Sequence, residues 1–369
     1  MKKKINHILP ALVLTASLGL TTVSCNGFLD EMPDNRTELN TDQKIAKLLV
    51  SAYADVSPNE LFELYSDNSD DSGPTYGYYK LSEQECYHWQ DTKEEYQDTP
   101  NSLWGGYYSA IAAANMALNA IEEKGNPASL DPQRGEALVC RAYCHFMLAN
   151  IFCNAYDTHA SQSLGVPYME EVETTVSPRY ERGTLEEVYR KVERDLLEGI
   201  DLISDDSYSV PKYHFTRKAA YAFAARFYLY YMKPDFSNCD RVIDFATRVL
   251  GTNPADLLRN WEALGNLSVN GNVQADAYIA SSNEANLLIS STVSNWGAIG
   301  SDYLIGPRYF HNQTLATSET CLSSGLWGSS DYFYLKPFST NGFVASILRK
   351  SGLYEGTYLY SVSYTHLTL

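Results

Sequence analysis

The apolar residues in the middle of the chain recur at the period of an α-helix. From residue 103 onward, six of them follow one another at spacings of four or three residues, and Gly125 stands where a C-cap glycine is expected. They are Leu103, Tyr107, Ile111, Ala114, Leu118 and Ile121. Asp131 then provides an N-cap, with Pro132 at the first position of the next helix. The pattern predicts two long helices that pack antiparallel.

Further helices are predicted on both sides of this pair. Asp42 opens an amphipathic helix, and Thr184 with Glu187 forms a capping box at the start of another. Two more helices are expected to begin at Thr216 and at Ser237. The middle of the protein is therefore predicted to be all-α.

A small residue precedes a phenylalanine by four positions in two of these helices, at Ala142 and Phe146 and again at Ala219 and Phe223. This spacing is typical of tetratricopeptide helix pairs, in which the small residue admits a bulky side chain from the neighbouring helix. Two ordinary helical hairpins are the alternative. We predict a mainly α, tetratricopeptide-like scaffold over residues 42–251.

Other stretches lack a helical period. Residues 57–100 are acidic and then rich in aromatic residues, which predicts a loop followed by irregular structure. Beyond residue 251 the chain is rich in Asn, Ser, Gly and Tyr, and short apolar runs such as residues 286–290 suit short strands. We predict a loop-rich, irregular α+β region over residues 252–360 that packs on the scaffold and binds the ligand. Residues 361–369 resemble translated adaptor sequence, so we expect a non-native tail there.

The N-terminus carries a targeting signal. Three lysines from Lys2 precede an apolar stretch over residues 8–20, which is followed by small residues and Cys25. Roughly 20 apolar residues are needed to cross a bilayer, so this stretch indicates a signal rather than a span. A cysteine directly after the cleavage site resembles a bacterial lipobox, in which the thiol is acylated. A plain signal with an incidental cysteine is the alternative. We predict a lipoprotein signal peptide over residues 1–24 and a tether over residues 25–41.

The charge of the chain excludes one class of partner. The 369 residues include 28 Lys and Arg against 45 Asp and Glu, a formal net charge of −17. Binding to nucleic acid or to an anionic membrane surface through basic patches is therefore not expected. The chain also contains 29 Tyr beside 13 Phe and 5 Trp. Because each buried phenol needs a hydrogen-bond partner, we expect many tyrosines at a surface or groove.

Familiar catalytic motifs do not occur. The phosphate-loop, dinucleotide, zincin and nucleophile-elbow patterns are all absent, so we predict neither an enzyme nor a cofactor. Cys140 and Cys144 lie one helical turn apart without a second ligand cluster, which indicates buried thiols rather than a metal site. Asp67, Asp70 and Asp71 are candidate ligands of a structural calcium, with a solvated or capping loop as the alternative.

The remaining candidate binding residues are aromatic. Trp89, Trp296, Tyr303 and Trp327 lie in irregular, weakly charged segments rich in Asn and Ser. Flat rings stack on the apolar faces of sugars while amides and hydroxyls bond to sugar hydroxyls, and loops on a rigid scaffold are where such side chains gather. We predict these four rings as ligand-binding residues. Burial in the core is the alternative for each of them.

Several motifs, taken as an ordered set, resemble one known family. They are Gly27-Phe28-Leu29-Asp30 and Pro33 after the lipobox, the run from Leu103 to Ile121, Arg141-Ala142-Tyr143-x2-Phe146, Gly165-Val166-Pro167, the helix from Thr184 to Leu202 and the segment from Ala219 to Tyr231. Over residues 20–251 this set resembles the SusD/RagB-like outer-membrane lipoproteins.

The resemblance implies a tetratricopeptide-like scaffold whose variable region bears the ligand site. It further implies a non-catalytic lipoprotein, anchored in the outer membrane and exposed at the cell surface. Such a protein captures oligosaccharides and passes them to a SusC-type TonB-dependent transporter. Peptide binding within the same family, a surface glycosidase and a scaffold without a small ligand are the alternatives. Because the family's C-terminal part is longer, the resemblance also implies a C-terminally truncated copy.

Overall fold

The structure of the protein is a computed structural model. It describes residues 39–67, 69–71, 73–74, 80–175, 178–267, 273–292, 294 and 308–311. The chain divides into two units, residues 1–40 and residues 41–369, and the elements given below belong to the second. Within the described ranges, no helix combines the length and the apolar character that a membrane span requires.

Helices dominate the described part of the chain, which confirms the predicted mainly α fold. The α-helices are α1 (Asp42–Leu48), α2 (Asn59–Leu64), α3 (Leu81–Tyr87), α4 (Pro100–Glu123), α5 (Asp131–Phe152), α6 (Leu185–Leu202), α7 (Arg217–Tyr230), α8 (Cys239–Leu250), α9 (Trp261–Gly265) and α10 (Val273–Ile279). Short 3-10 turns occur at Leu49–Ala52, Ala128–Leu130, Asp205–Ser207, Pro211–Tyr213 and Pro254–Leu257. The strands β1 (Ser69–Asp71) and β2 (Tyr309–His311) pair antiparallel.

The two long helices α4 and α5 pack antiparallel, as predicted. The ring of Trp104, near the start of α4, contacts the ring of Phe152 at the end of α5, with centroids 5.1 Å apart. In the middle of the pair, the guanidinium of Arg141 donates a hydrogen bond of 3.0 Å to the side-chain oxygen of Asn115. The hydroxyl of Thr99 accepts a hydrogen bond from the amide of Ser102, which caps the start of α4.

The scaffold continues through α6, α7 and α8. The predicted capping box is present at the start of α6, where the Glu187 amide donates to the Thr184 hydroxyl over 3.2 Å and the Thr184 amide donates to the Glu187 carboxylate over 2.9 Å. Phe146 of α5 and Phe223 of α7 meet in the core with centroids 5.5 Å apart. Each of these rings belongs to one of the small-residue and phenylalanine pairs, so the pairs mark core contacts between helices.

Two predicted helix starts are wrong by one or two residues. α5 begins at Asp131 with Leu130 as its N-cap residue, so Pro132 occupies the second helical position rather than the first. α8 begins at Cys239 rather than at Ser237. The carboxylate of Asp235 accepts a hydrogen bond from the Ser237 amide over 3.1 Å. Ser237 therefore belongs to a turn that precedes the helix.

The structure also corrects the predictions for the less regular stretches. Residues 57–100 contain α2, β1 and α3 in addition to loops. Residues 286–290 form a buried loop rather than a strand. The side-chain amide of Asn286 donates to the carbonyl oxygens of Tyr278 and Ala280 over 2.8 and 3.0 Å, and these local bonds hold the chain in a loop.

The thiols of Cys140 and Cys144 are buried in helix packing, as predicted. The described cysteines are free, and they are Cys86, Cys140, Cys144, Cys153 and Cys239. Burial raises the pKa of Cys144 to about 12, so this thiol stays protonated at neutral pH. These properties indicate a packing role for the pair on α5.

Candidate ligand-binding face

Trp89 follows α3 in a backbone conformation that glycine normally adopts. Its φ angle is 55°. Its amide donates to the Cys86 carbonyl over 2.9 Å, and the next amide, of Gln90, donates to the Glu85 carbonyl over 2.8 Å. These two bonds form a Schellman motif, in which a left-handed residue ends the helix. The left-handed conformation costs an L-residue roughly 1–2 kcal/mol, so Trp89 is a strained position, and strained residues cluster at functional sites.

The indole of Trp89 rests on the ring of Tyr65, which follows the end of α2. The two ring centroids lie 4.2 Å apart and the planes meet at 15°, so the rings are stacked. Trp89 nevertheless keeps 72% of its surface exposed. Tyr65 therefore covers one side of the indole, while most of the surface of Trp89 remains open to solvent.

Tyr65 and Cys86 stay uncharged beside this stack. Burial, together with the neighbouring Cys86 thiol, raises the pKa of Tyr65 to about 12. Burial likewise raises the pKa of Cys86 to about 11. Both groups are protonated at neutral pH, so the support under Trp89 is a neutral, largely apolar surface.

Three more rings lie close to the stack because Tyr87 and His88 immediately precede Trp89. The ring of Tyr87 contacts the ring of Tyr309 at a centroid distance of 4.9 Å, and that of His88 lies 6.0 Å from the same ring. Tyr309 itself is buried. We call the surface formed by Tyr65, Tyr87, His88 and Trp89, together with the buried Tyr309 beneath it, the Trp89 face.

The strand pair brings Tyr309 to this face. β1 and β2 pair in a register that places Asp71 opposite Tyr309. Arg308 donates to both carboxylate oxygens of Asp71, over 2.7 and 2.8 Å. This ion pair holds the pKa of Asp71 below its usual value. A two-pronged contact of this kind fixes both the position and the orientation of the chain around Tyr309.

Buried acids behind the face join α2 to α3. The Lys80 ammonium lies 3.7 Å from a carboxylate oxygen of Glu60 on α2 and 3.4 Å from one of Glu83 on α3. Burial raises the pKa of both glutamates, and the nearby Asp98 carboxylate raises that of Glu60 further. The cluster links α2, which Tyr65 follows, to α3, which precedes Trp89.

Of the four rings predicted to bind ligand, the structure places Trp89 at an exposed surface. Trp296, Tyr303 and Trp327 lie outside the described residues, as does the predicted lipidation site Cys25. Tyr65 and Tyr309 complete the Trp89 face but were not predicted from the sequence. Tyr65 carried no sequence signal because its role depends on contact with a residue 24 positions away.

The three candidate calcium ligands have other contacts. Both carboxylate oxygens of Asp71 accept hydrogen bonds from Arg308, while Asp70 accepts one from the Tyr87 hydroxyl over 3.4 Å. Asp67 is exposed. Across the described ranges, no group of three or more His, Cys, Asp or Glu side chains is arranged to hold a metal ion.

A groove lies between α4, α5, α6 and residues 170–174. This groove has a volume of about 840 Å³. The arginines that line it bond to acids: Arg141 donates to Asp195 over 2.6 Å, and Arg194 donates to Glu170 over 2.6 Å. Because these charges are already paired, the groove is a weaker candidate for a ligand site than the Trp89 face.

Comparison with known proteins identifies the family. A family described as starch-binding and associating with the outer membrane has a sequence model that matches residues 27–229, more than half of the chain. The chain belongs to the SusD-like family. This result confirms the predicted resemblance, and the matched SusD-like segment includes Trp89 and Tyr65. Among curated proteins, none matches the sequence.

Solved structures show the same fold for this SusD-like chain. It is similar to a Bacteroides vulgatus ATCC 8482 protein named for sugar binding, at 20% identity and a TM-score of 0.54, over 73% of this chain and 60% of that one. It is also similar to a SusD-like protein from Bacteroides fragilis NCTC 9343, at 19% identity and a TM-score of 0.51, over 75% of this chain and 52% of that one. The chain therefore spans about 60% and about half of the lengths of these two proteins.

Proposed function

We propose that this SusD-like protein binds oligosaccharides and that the Trp89 face is part of its binding site. The observation that carries the proposal is the Trp89 ring, which is stacked on Tyr65 and still 72% exposed. An indole supported from one side presents a flat apolar surface to the hydrogen-rich face of a sugar ring. The starch-binding description of the family supports the same ligand class.

The strain at Trp89 adds to this argument. A glycine would end α3 at lower free energy, because glycine adopts a positive φ angle without a steric penalty. A glycine would, however, supply no ring. Retaining a tryptophan at a left-handed position is understandable if its side chain performs a function that offsets the backbone strain.

The rest of the functional assignment is also a proposal. Trp296, Tyr303 and Trp327 would supply further stacking rings from the second region of the chain. Acylation of Cys25 would anchor the protein in the outer membrane at the cell surface, since two or more acyl chains anchor a protein stably without a membrane span. A SusC-type TonB-dependent transporter would receive the captured oligosaccharide.

Titration calorimetry of the mature protein against a panel of neutral oligosaccharides tests the ligand assignment. We expect Trp89→Gly to weaken binding roughly tenfold or more, because it removes the stacking surface. Trp89→Phe, which keeps a smaller ring, should have an intermediate effect. The control is Trp104→Ala, because Trp104 packs against Tyr108 and Phe152 within the scaffold. Unchanged affinity in Trp89→Gly would remove Trp89 from the binding site.

The same panel separates the alternative functions. Steady release of reducing sugar would show that the protein is a glycosidase rather than a binding protein. Affinity for peptides but not for glycans would support the peptide-binding alternative. Capture of a transporter without affinity for any glycan or peptide would indicate a scaffold. The anchor has its own test: Cys25→Ala should release the protein from outer-membrane fractions and abolish incorporation of labelled fatty acid.

A further inference from the structure

The segment that builds the Trp89 face holds much of the negative charge of the protein. Residues 57–100 contain eleven Asp and Glu but two Lys, a net charge of −9 within a chain whose formal charge is −17. The acids are Glu60, Glu63, Asp67, Asp70, Asp71, Glu83, Glu85, Asp91, Glu94, Glu95 and Asp98. Four of them, Glu60, Glu83, Glu85 and Asp98, are buried, and the other seven are exposed or half-buried. Charge of one sign concentrated in one segment produces a local potential that acts on any charged ligand.

The lysines and the arginine of this region are held by carboxylates. Lys80 lies between Glu60 and Glu83, Lys93 lies 3.5 Å from Glu85, and Arg308 binds both carboxylate oxygens of Asp71. Proteins recognise carboxylate, sulfate and phosphate groups with Arg or Lys that donate to the anion. In the described part of this region, each such cation already has an acidic partner.

One exposed acid lies close to the stacked rings, and others follow α3. Asp91 is two residues from Trp89, so their α-carbons are within about 7 Å. The following residues fold back along α3, because the Lys93 amide donates to the Glu85 carboxylate over 2.9 Å and the Ser82 amide donates to the Glu94 carboxylate over 3.0 Å. This path places the exposed Glu95 near the start of α3, at the opposite end of that helix from Trp89.

We propose that the Trp89 face selects uncharged and amino-sugar oligosaccharides and rejects chains that carry uronate or sulfate groups. The proposal rests on the proposed function, because it names the class of glycan that the same face accepts. A sugar stacked on Trp89 would lie near the exposed Asp91, which is two residues away along the chain, and in 0.15 M salt the field of a charge extends over a Debye length of about 8 Å. An anionic sugar would be repelled there, and the cations among the described residues of this region already lie beside carboxylates.

Quenching of Trp89 fluorescence by ions tests the local potential without any glycan. The Trp89 signal is the difference between the wild-type protein and Trp89→Phe. The quenching of free N-acetyltryptophanamide by each quencher serves as the reference. Against this reference, we expect iodide to quench the Trp89 signal about threefold less than neutral acrylamide does. Caesium should quench the Trp89 signal more than acrylamide does. The difference should shrink as the salt concentration rises to 0.5 M. Equal relative quenching by iodide and acrylamide would overturn the proposal.

A pair of charge-matched variants assigns the effect to the exposed acids that follow α3. Asp91→Asn combined with Glu95→Gln should raise the iodide quenching of Trp89 about twofold. The control combines Glu122→Gln on α4 with Asp201→Asn on α6, which changes the total charge by the same amount at exposed positions. An equal effect of the control pair would show that net charge alone, rather than the Trp89 face, controls the quenching.

A matched set of glycans tests the selectivity itself. The affinities of oligogalacturonates are compared with those of their neutral methyl esters, and the affinities of chitosan oligomers with those of their acetylated forms. Each affinity is measured by direct titration and by displacement of a neutral glycan that binds. We expect at least a tenfold lower affinity for the uronates in 20 mM salt, with the gap reduced in the Asp91 and Glu95 variant. Equal or tighter binding of the uronates would contradict the selectivity while leaving oligosaccharide binding intact. Failure of all glycans to bind, with iodide still excluded, would instead contradict the proposed function.

Discussion

Gly135 of α5 and Gly199 of α6 face each other where the two helices are closest. A β-carbon on Gly135 would lie 2.7 Å from the Gly199 carbonyl oxygen, and a β-carbon on Gly199 would lie 2.7 Å from the Gly135 carbonyl oxygen. Real β-carbons do not approach backbone this closely, so each helix requires glycine at the contact. The arrangement continues in ion pairs between the same helices, such as the one formed by Arg134 and Glu198.

We predict that Gly135→Ala and Gly199→Ala each destabilise the protein by about 1–3 kcal/mol, the usual result of overpacking a tight contact. Alanine is favoured over glycine within helices by about 0.5–1 kcal/mol, but the backbone clash outweighs this gain. Urea unfolding at pH 7 provides the measurement. Gly105→Ala on α4 is the control, because its β-carbon would meet nothing within 4 Å, and it should stabilise the protein slightly. Stabilisation by either of the first two variants would contradict the close packing.

The buried ion pair between Arg141 and Asp195 leads to a second prediction. The Arg141 side chain donates to the Asp195 carboxylate over 2.6 Å, and both side chains are largely inaccessible. The Tyr168 hydroxyl donates to the same carboxylate oxygen over 2.7 Å. Asp195→Asn should therefore destabilise the protein by about 3–5 kcal/mol, since it leaves a guanidinium buried without its counter-charge.

A double-mutant cycle provides the control for this pair. Arg141→Met with Asp195→Leu removes both charges, so the double variant should lose less stability than the sum of the two single variants. Urea unfolding measures all three proteins. Additive losses would mean that the two side chains stabilise the helices independently, contrary to the geometry.

How well the fold could be predicted depended on the length of each element. α4 and α6 are 24 and 18 residues long, and their apolar period and caps made them clear in the sequence. α2 and α3 have six and seven residues, too few for a period. Their buried glutamates, Glu60 and Glu83, also look like solvent-exposed residues in a sequence, because burial there depends on Lys80.

The candidate site was predictable only in part, for a related reason. Trp89 was singled out by its residue type and its irregular surroundings. The ion pair that positions Tyr309 joins Asp71 to Arg308, which lies 237 residues further along the chain. Contacts over such a distance leave no pattern in local spacing, so the support of the face could not be derived from the sequence.

His145 makes the stability of the fold depend on pH. Its Nδ1 atom lies 2.9 Å from the Arg141 carbonyl oxygen, and its Nε2 atom accepts the Met169 amide over 2.9 Å. Only the neutral ring with its proton on Nδ1 satisfies both contacts. Burial, reinforced by the positive charge of Arg141, lowers the pKa of His145 to about 3. The folded protein therefore keeps this ring neutral where the unfolded chain protonates it.

Between pH 6.5 and pH 3 the unfolded state binds the additional proton, so stability should fall as the pH falls. The expected loss from this residue is about 1.4 kcal/mol per pH unit, or about 2 kcal/mol between pH 6.5 and pH 5. Urea unfolding of the wild type and of His145→Gln over this range isolates the effect, because the other groups cancel in the difference. A parallel pH dependence of the wild type and His145→Gln would contradict a buried neutral ring.

The backbone strain at Trp89 gives a prediction that separates function from stability. Trp89→Gly removes the indole and its contact with Tyr65. It also relieves the backbone strain, because glycine adopts a φ angle of 55° without a steric penalty. Trp89→Ala removes the same contact and retains a β-carbon at the left-handed position. The glycine variant should therefore be more stable than the alanine variant by about 1 kcal/mol, as measured by urea unfolding. Both should lose affinity for oligosaccharide, since neither carries a ring. An alanine variant as stable as the glycine variant would show that Trp89 is not strained, and the case for function would then depend on ring exposure alone.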